Sequence, residues 1–144
     1  MIISKMTKEH LSGVVEIENS SFTHPWSFDS FASEVDKDSS CCYVALSDDR
    51  VIGYAVLNFV LDEGSLLLIA VDKSYRRQGV AKALFTKLMD IAKEKSLSFI
   101  TLEVRASNES AQAFYLSENF EVVAVRKNYY SKPTEDAVLM TKYL

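Results

Sequence analysis

Three features of this chain have residue types and spacing suited to chemistry: the carboxylate of Glu103, the phenol of Tyr115, and the run Arg76-Arg77-Gln78-Gly79-Val80-Ala81-Lys82. Glu103 stands in the apolar stretch Phe99-Ile100-Thr101-Leu102-Glu103-Val104, where a carboxylate is costly unless it opens onto a cavity or has a partner. Partial desolvation there would make it a stronger base near neutral pH. The alternative is a strand-end Glu paired with Arg105 or another surface cation. Tyr115 shares a helical face with Asn108 and Ala111. A phenol of pKa about 10 stays protonated at neutral pH, so it can donate to a departing thiolate whose conjugate thiol has pKa about 8.5. The competing account places Tyr115 in the core with Phe114 and Phe120.

The third feature needs an element on each side. Leu66-Leu67-Leu68-Ile69-Ala70-Val71-Asp72 reads as a buried strand, and an amphipathic run to Lys95 follows the basic turn. Gly79 lets the backbone approach a ligand closely, which a side chain would prevent. A helix opening there presents amides without internal partners at the positive end of its dipole, a good seat for a pyrophosphate. Arg76, Arg77 and Lys82 add positive charge. An ordinary surface turn is the bland alternative.

Length and composition bound these readings. A chain of 144 residues, 48% hydrophobic and 25% charged, suits one domain over residues 1–144 with its own core. No apolar run approaches the roughly 20 residues of a membrane span, and Met1-Ile2-Ile3-Ser4-Lys5 reads as a first strand rather than a signal peptide. Adjacent Cys41 and Cys42 would form a strained disulfide, and no His or Cys cluster stands at metal-ligand spacing. A cytoplasmic protein with reduced thiols and no metal is expected. Residues 1–72 hold four basic and twelve acidic residues, net −8, whereas residues 73–144 hold twelve basic and eight acidic, net +4. The acidic half would repel nucleic acid and attract a cationic acceptor. No residue pattern specifies an oligomeric state.

Periodicity supplies the remaining elements. Thr7 caps a helix to about Ser20, with Leu11, Val14 and Val15 on an apolar side and Glu18 and Asn19 on a wet side. The loop Ser21 to Trp26 leads to Ser27, the N-cap of a second helix carrying Phe28, Phe31 and Val35. Cys42 to Leu46 and Val51 to Leu61 form a hairpin around Asp48-Asp49-Arg50, and Asp62-Glu63-Gly64 turns into the strand feeding the basic turn. Strand, helix (about Gly79 to Lys95) and strand (Phe99 to Val104) should make a right-handed crossover between parallel neighbours. A helix near Asn108 to Ser117 and strands Glu121 to Arg126 and Ala137 to Tyr143 close the domain. The expected class is α/β (α+β), with a central mixed sheet covered by helices on both faces.

Arg76-x-x-Gly79-x-Ala81 resembles the coenzyme A loop of the GNAT superfamily of N-acetyltransferases. The likeness tightens at Leu102-Glu103-Val104-Arg105-Ala106-Ser107-Asn108, Phe114-Tyr115, Asn119-Phe120, Arg126-Lys127-Asn128-Tyr129-Tyr130 and Glu135-Asp136-Ala137, with Pro25-Trp26-Ser27 and Ile69-Ala70-Val71-Asp72 besides. Together these are similar to the bacterial ribosomal-protein-alanine N-acetyltransferases, the RimI type, over nearly the whole chain. The resemblance implies an acyl-CoA N-acyltransferase fold whose parallel strands splay at the cofactor site. It implies Glu103 as general base, acting through water, and Tyr115 as general acid toward the coenzyme A sulfur. It places acetyl and pantetheine on Ile69, Ala70 and Val71, pyrophosphate on Arg76, Arg77, Gln78, Gly79, Val80, Ala81 and Lys82, and a further coenzyme contact on Asn108. Trp26, Tyr129 and Tyr130 would wall the acceptor side.

Two departures from the family pattern are tolerable: Ala81 asks only for helical angles, and Asn119 suits a left-handed cap. Leu68 stands where relatives often carry a polar residue on the acceptor side. His10 and His24 are the only histidines; His24, beside Pro25-Trp26, could reach the acceptor. The implied activity is acetyl transfer from acetyl-CoA to the N-terminal α-amine, an alanine, of a small-subunit ribosomal protein. No activated Cys or Ser suggests a covalent enzyme intermediate. The alternatives are acetylation of a small amine such as a polyamine or antibiotic, and a non-catalytic acyl-CoA-binding module. No membrane partner is implied.

Overall fold

The computed structural model describes residues 1–144. In chain order it comprises β1 (Ile2–Lys5), α1 (Leu11–Ser21), α2 (Phe28–Val35), β2 (Ser40–Ser47), β3 (Arg50–Val60), β4 (Glu63–Val71), α3 (Val80–Glu94), β5 (Phe99–Arg105), α4 (Glu109–Ser117), β6 (Glu121–Tyr130) and β7 (Glu135–Tyr143). All seven strands join one sheet in the order β1-β2-β3-β4-β5-β7-β6. Only β4 and β5 are parallel; every other pair is antiparallel. The expected mixed sheet is therefore present.

Local chemistry accounts for most boundaries. Asp48 and Asp49 both take positive φ, 48° and 65°, the handedness that a tight hairpin turn needs between β2 and β3. Ser27 accepts the Ser30 amide at 3.1 Å and so caps α2. At the end of α4, Asn119 has φ 68°, the Phe120 amide donates to the Tyr115 carbonyl at 3.0 Å, and the Asn119 amide donates to the Leu116 carbonyl at 3.1 Å. These two bonds make a Schellman cap, with Asn119 in the left-handed place that glycine usually takes. His10 accepts the Thr7 amide at 3.0 Å on Nδ1, and the turn Thr7 opens is a 3-10 one that runs into α1.

Alternation along β3 divides the core between the two faces of the sheet. Ala55 and Leu57 join α3, Tyr115 and Phe120 on one side, whereas Tyr54 and Val56 meet Leu11, Val14 and Ile17 of α1 and Phe31 of α2 on the other. Cys41 and Cys42 fall on opposite faces and remain free. Burial pushes the Cys42 thiol up to about 12.

Three expectations need correction. Glu18 is 1% exposed rather than on a wet side, because its carboxylate accepts from the Tyr54 hydroxyl at 2.5 Å and the Trp26 amide at 2.8 Å. Phe28 points outward, 47% exposed, leaving Phe31 to carry the apolar contact of α2. The last two strands are longer than their apolar runs, so Tyr129 and Tyr130 end a strand.

The decisive irregularity lies in β4. Its pairing with β3 steps from Val56↔Leu68 to Leu57↔Leu66, so Leu67 is an extra residue in a bulge. Leu66 faces the α3 side, yet Leu68 packs on the opposite face. The bulge has reset the alternation and turned Leu67 out, 41% exposed. Pairing of β4 with β5 runs only from Glu63↔Phe99 to Ser65↔Thr101 and stops at the bulge. Beyond it the parallel strands separate.

Candidate active site

The separation leaves one edge of Leu66 to Val71 without a strand partner, while the other edge stays paired to β3. Ile69, Ala70 and Val71 therefore offer backbone donors and acceptors to whatever enters the gap. At the end of this edge, Arg76 Nε donates to the Val71 carbonyl at 3.4 Å.

The chain then enters the basic turn. Arg77 and Gly79 take positive φ, 60° and 79°, and Gly79 is the N-cap of α3. The amides from Arg77 through Lys82 donate to no acceptor within the chain. A Cβ built on Gly79 would meet nothing within 4 Å. The protein itself thus requires glycine for its left-handed backbone rather than for close packing, and it leaves the space above the turn open. Free amides, a helix N-terminus and two arginines fit the phosphates of a coenzyme. Lys82 departs from the expected free charge. Its Nζ bonds both carboxylate oxygens of buried Glu118, at 2.8 and 2.9 Å, so its positive charge is largely spent within the protein.

Tyr115 lies on the α3 and α4 side of the sheet, in one core cluster with Leu66 of β4 and Leu102 and Val104 of β5. It packs against Phe114 and Phe120 with ring centroids 5.7 and 5.6 Å away, so the core account is correct for the ring. The hydroxyl has no partner in the chain, and no buried side-chain polar atom lacks one, so this oxygen touches open space. Burial first, and neighbouring Tyr130 second, push the phenol up to about 12. Asn108, the N-cap of α4, accepts the Ala111 amide on Oδ1 at 3.1 Å, which leaves its amide group as the available donor.

Glu103 lies on the opposite face. Leu102 and Val104 point toward α3, so the intervening Glu103 points away from it. On that face α1 and α2 cover β2, β3 and β4 and leave the sheet beyond β4 open. The result is a cleft of about 520 Å³ lined by Leu67, Thr101, Glu103, Arg126, Tyr130 and Leu139 among others. The Glu103 side chain is 38% exposed, so the carboxylate opens onto the cleft. Its cation is Arg126, at 3.9 Å, not Arg105. Arg105 instead pairs with Glu135 at 3.1 Å and lies 4.4 Å over the ring of Tyr130.

The structure gathers most but not all of the expected acceptor wall. Tyr130 lines the cleft, and burial together with the Glu103 carboxylate raises its phenol above the ordinary value. Tyr129 is exposed beside Glu103, whose carboxylate raises its phenol as well, by hydrogen bonding first and by charge second. Trp26 lies outside the cleft lining, tilted against Phe31 with ring centroids 5.2 Å apart, in a groove with Asp29 and Lys37. Leu68 packs into the α1 and α2 core, and Leu67 takes the lining place instead. Arg126 and Thr101 were given no role by the sequence. Arg126 follows the continuous apolar run Val122-Val123-Ala124-Val125, and that position before the tyrosine pair was the only signal.

A mixed sheet opened between two parallel strands, with free amides beside the opening and a carboxylate and a phenol on its two faces, is a frame suited to acyl transfer. The chain belongs to the acetyltransferase (GNAT) family, whose model matches residues 11–120. Members of that family use acetyl-CoA. Among its relatives, the ribosomal protein bS18-alanine N-acetyltransferase of Escherichia coli is 36% identical over 96% of this chain and 94% of the relative. The enzyme of the same name from Haemophilus influenzae is 36% identical over 99% of both chains. A crystal structure of the Escherichia coli enzyme superposes with a TM-score of 0.90 at 34% identity, covering 99% of this chain and 92% of that one.

Proposed function

We propose that this protein transfers the acetyl group of acetyl-CoA to the α-amine of an N-terminal alanine on the small-subunit ribosomal protein bS18. One observation supports the reaction: Glu103 lines the cleft where β4 and β5 part, while Tyr115 packs on the opposite face of the sheet in one cluster with Leu66 of β4 and Leu102 of β5. Acceptor and coenzyme thereby enter from different sides and meet where the strands part. The acceptor assignment follows the names of relatives that match nearly the full chain.

The coenzyme supplies a thioester-activated acetyl group. The amides from Arg77 to Lys82 and the guanidinium groups of Arg76 and Arg77 bind its phosphates, and Asn108 donates a further contact. The free edge of Ile69, Ala70 and Val71 orients the pantetheine and acetyl groups. Glu103, through water in its exposed cleft, takes the proton from the acceptor ammonium so that the amine attacks directly. Tyr115 holds a proton at its hydroxyl and delivers it to the departing sulfur.

Thiol release from acetyl-CoA tests the reading with three additions: an Ala-initiated peptide, spermidine, and buffer alone. Release with the peptide supports the proposal. Release with spermidine alone would establish a small-amine acetyltransferase, and silence in every arm a coenzyme-binding module.

A further inference from the structure

On the acceptor side, two segments far apart in sequence meet at one hydrogen bond. His24 Nε2 lies 3.2 Å from the Ser131 carbonyl, across 107 positions. A carbonyl only accepts, so the imidazole donates from Nε2. No other hydrogen bond, ion pair or ring contact joins residues 22–35 to residues 121–135.

Both sides of this contact are anchored in the sheet. Two residues after His24, the Trp26 amide donates to buried Glu18, whose other oxygen accepts from Tyr54 of β3. Tyr54 is paired with Ala70 on the coenzyme strand. Across the contact, Ser131 directly follows Tyr130, which lines the Glu103 cleft. Its carbonyl also accepts from Arg105 at 3.5 Å, and the same guanidinium bonds the Pro133 carbonyl at 3.3 Å and Glu135 at 3.1 Å. His24 is exposed and has no partner besides Ser131.

We propose that His24 is a positioning residue for the acceptor, a latch that ties the loop before α2 to the turn after β6 and so holds that turn, with Tyr130 of the cleft wall next to it, in place. The inference rests on the reading that the acceptor binds beside Glu103. A wall ordered before binding need not be ordered by the acceptor, so the latch acts on acceptor affinity and leaves the coenzyme turn untouched. Its loss should appear in KM for the peptide rather than in kcat.

The test compares wild type with His24→Phe, which keeps a ring and loses the donor, and His24→Gln, which restores an N–H. Trp26 is the single tryptophan, so acrylamide quenching of its fluorescence reports the loop without reference to activity. For His24→Phe we expect easier quenching, a rise in peptide KM of about three- to tenfold, and unchanged kcat and acetyl-CoA Kd, with His24→Gln recovering most of the loss. Quenching equal to wild type would overturn the latch. Easier quenching with an unchanged peptide KM would overturn its role in acceptor binding. A wild-type protein that acetylates no peptide would refute the acceptor reading instead, and the quenching would then decide the latch by itself.

Discussion

The Tyr115 hydroxyl is the one polar atom of its ring, and it faces open space from within an aromatic cluster. Tyr115→Phe keeps the ring packing and removes only the proton donor. We expect kcat to fall about a hundredfold with acetyl-CoA affinity nearly unchanged, as measured by steady-state kinetics and calorimetry. Activity equal to wild type would make Tyr115 a core residue alone. The fold raises this phenol to about 12, so its contribution to stability is complete below about pH 10 and is lost as pH rises through about 12. The phenol therefore stays protonated across the neutral range. The place of Tyr115 on α4 was legible because its helical spacing from Asn108 and Ala111 is local. Glu18 was not: an acidic residue on a helix reads as solvent-facing, and the partner that buries it, Tyr54, lies 36 positions away.

Elements with strong periodicity matched expectation, notably α3, whose Val80, Leu84, Leu88 and Ile91 are all buried. The bulge was invisible because Leu66, Leu67 and Leu68 are identical residues, and an apolar triplet carries no mark of a lost alternation. Splaying of β4 from β5 depends on that bulge, so only a resemblance could imply it. The basic turn, in contrast, announced itself through Gly79. Its φ of 79° makes Gly79→Val a strain of about 1–2 kcal/mol and puts a branched side chain over the free amides. Calorimetry should show coenzyme affinity weakened at least about tenfold while circular dichroism reports a folded protein. Unchanged affinity would show that phosphates bind elsewhere.

A second element-level prediction concerns Glu34, which ties α2 to β2 and β3. Burial works to raise its carboxyl, but hydrogen bonds from Ser40, Lys37 and Asn58 outweigh it and hold the group below its ordinary value. A depressed carboxyl contributes stability above the unfolded value of 4.5, and that contribution is lost as pH falls through the lower folded one. Melting temperatures from about pH 6 to pH 3 should therefore drop more steeply for wild type than for Glu34→Gln. Parallel curves would remove Glu34 from the acid response.

For the molecule as a whole, the proposed reaction divides the labour between the two faces of one sheet: coenzyme on the α3 and α4 side, acceptor on the face that α1 and α2 leave uncovered beyond β4. An α-amino group has pKa about 7.7 to 8.0 against about 10.4 for a lysine side chain, so at neutral pH far more of it is already the free base. A water-exposed carboxylate such as Glu103 needs to do little for such an amine. The most direct measurement is mass spectrometry of a peptide that begins with alanine and carries an internal lysine, after incubation with acetyl-CoA and the protein. An N-terminal acetyltransferase modifies the α-amine and leaves the lysine largely untouched; acetyl groups found mainly on the lysine, or no modified peptide while spermidine is readily acetylated, would contradict the proposed function.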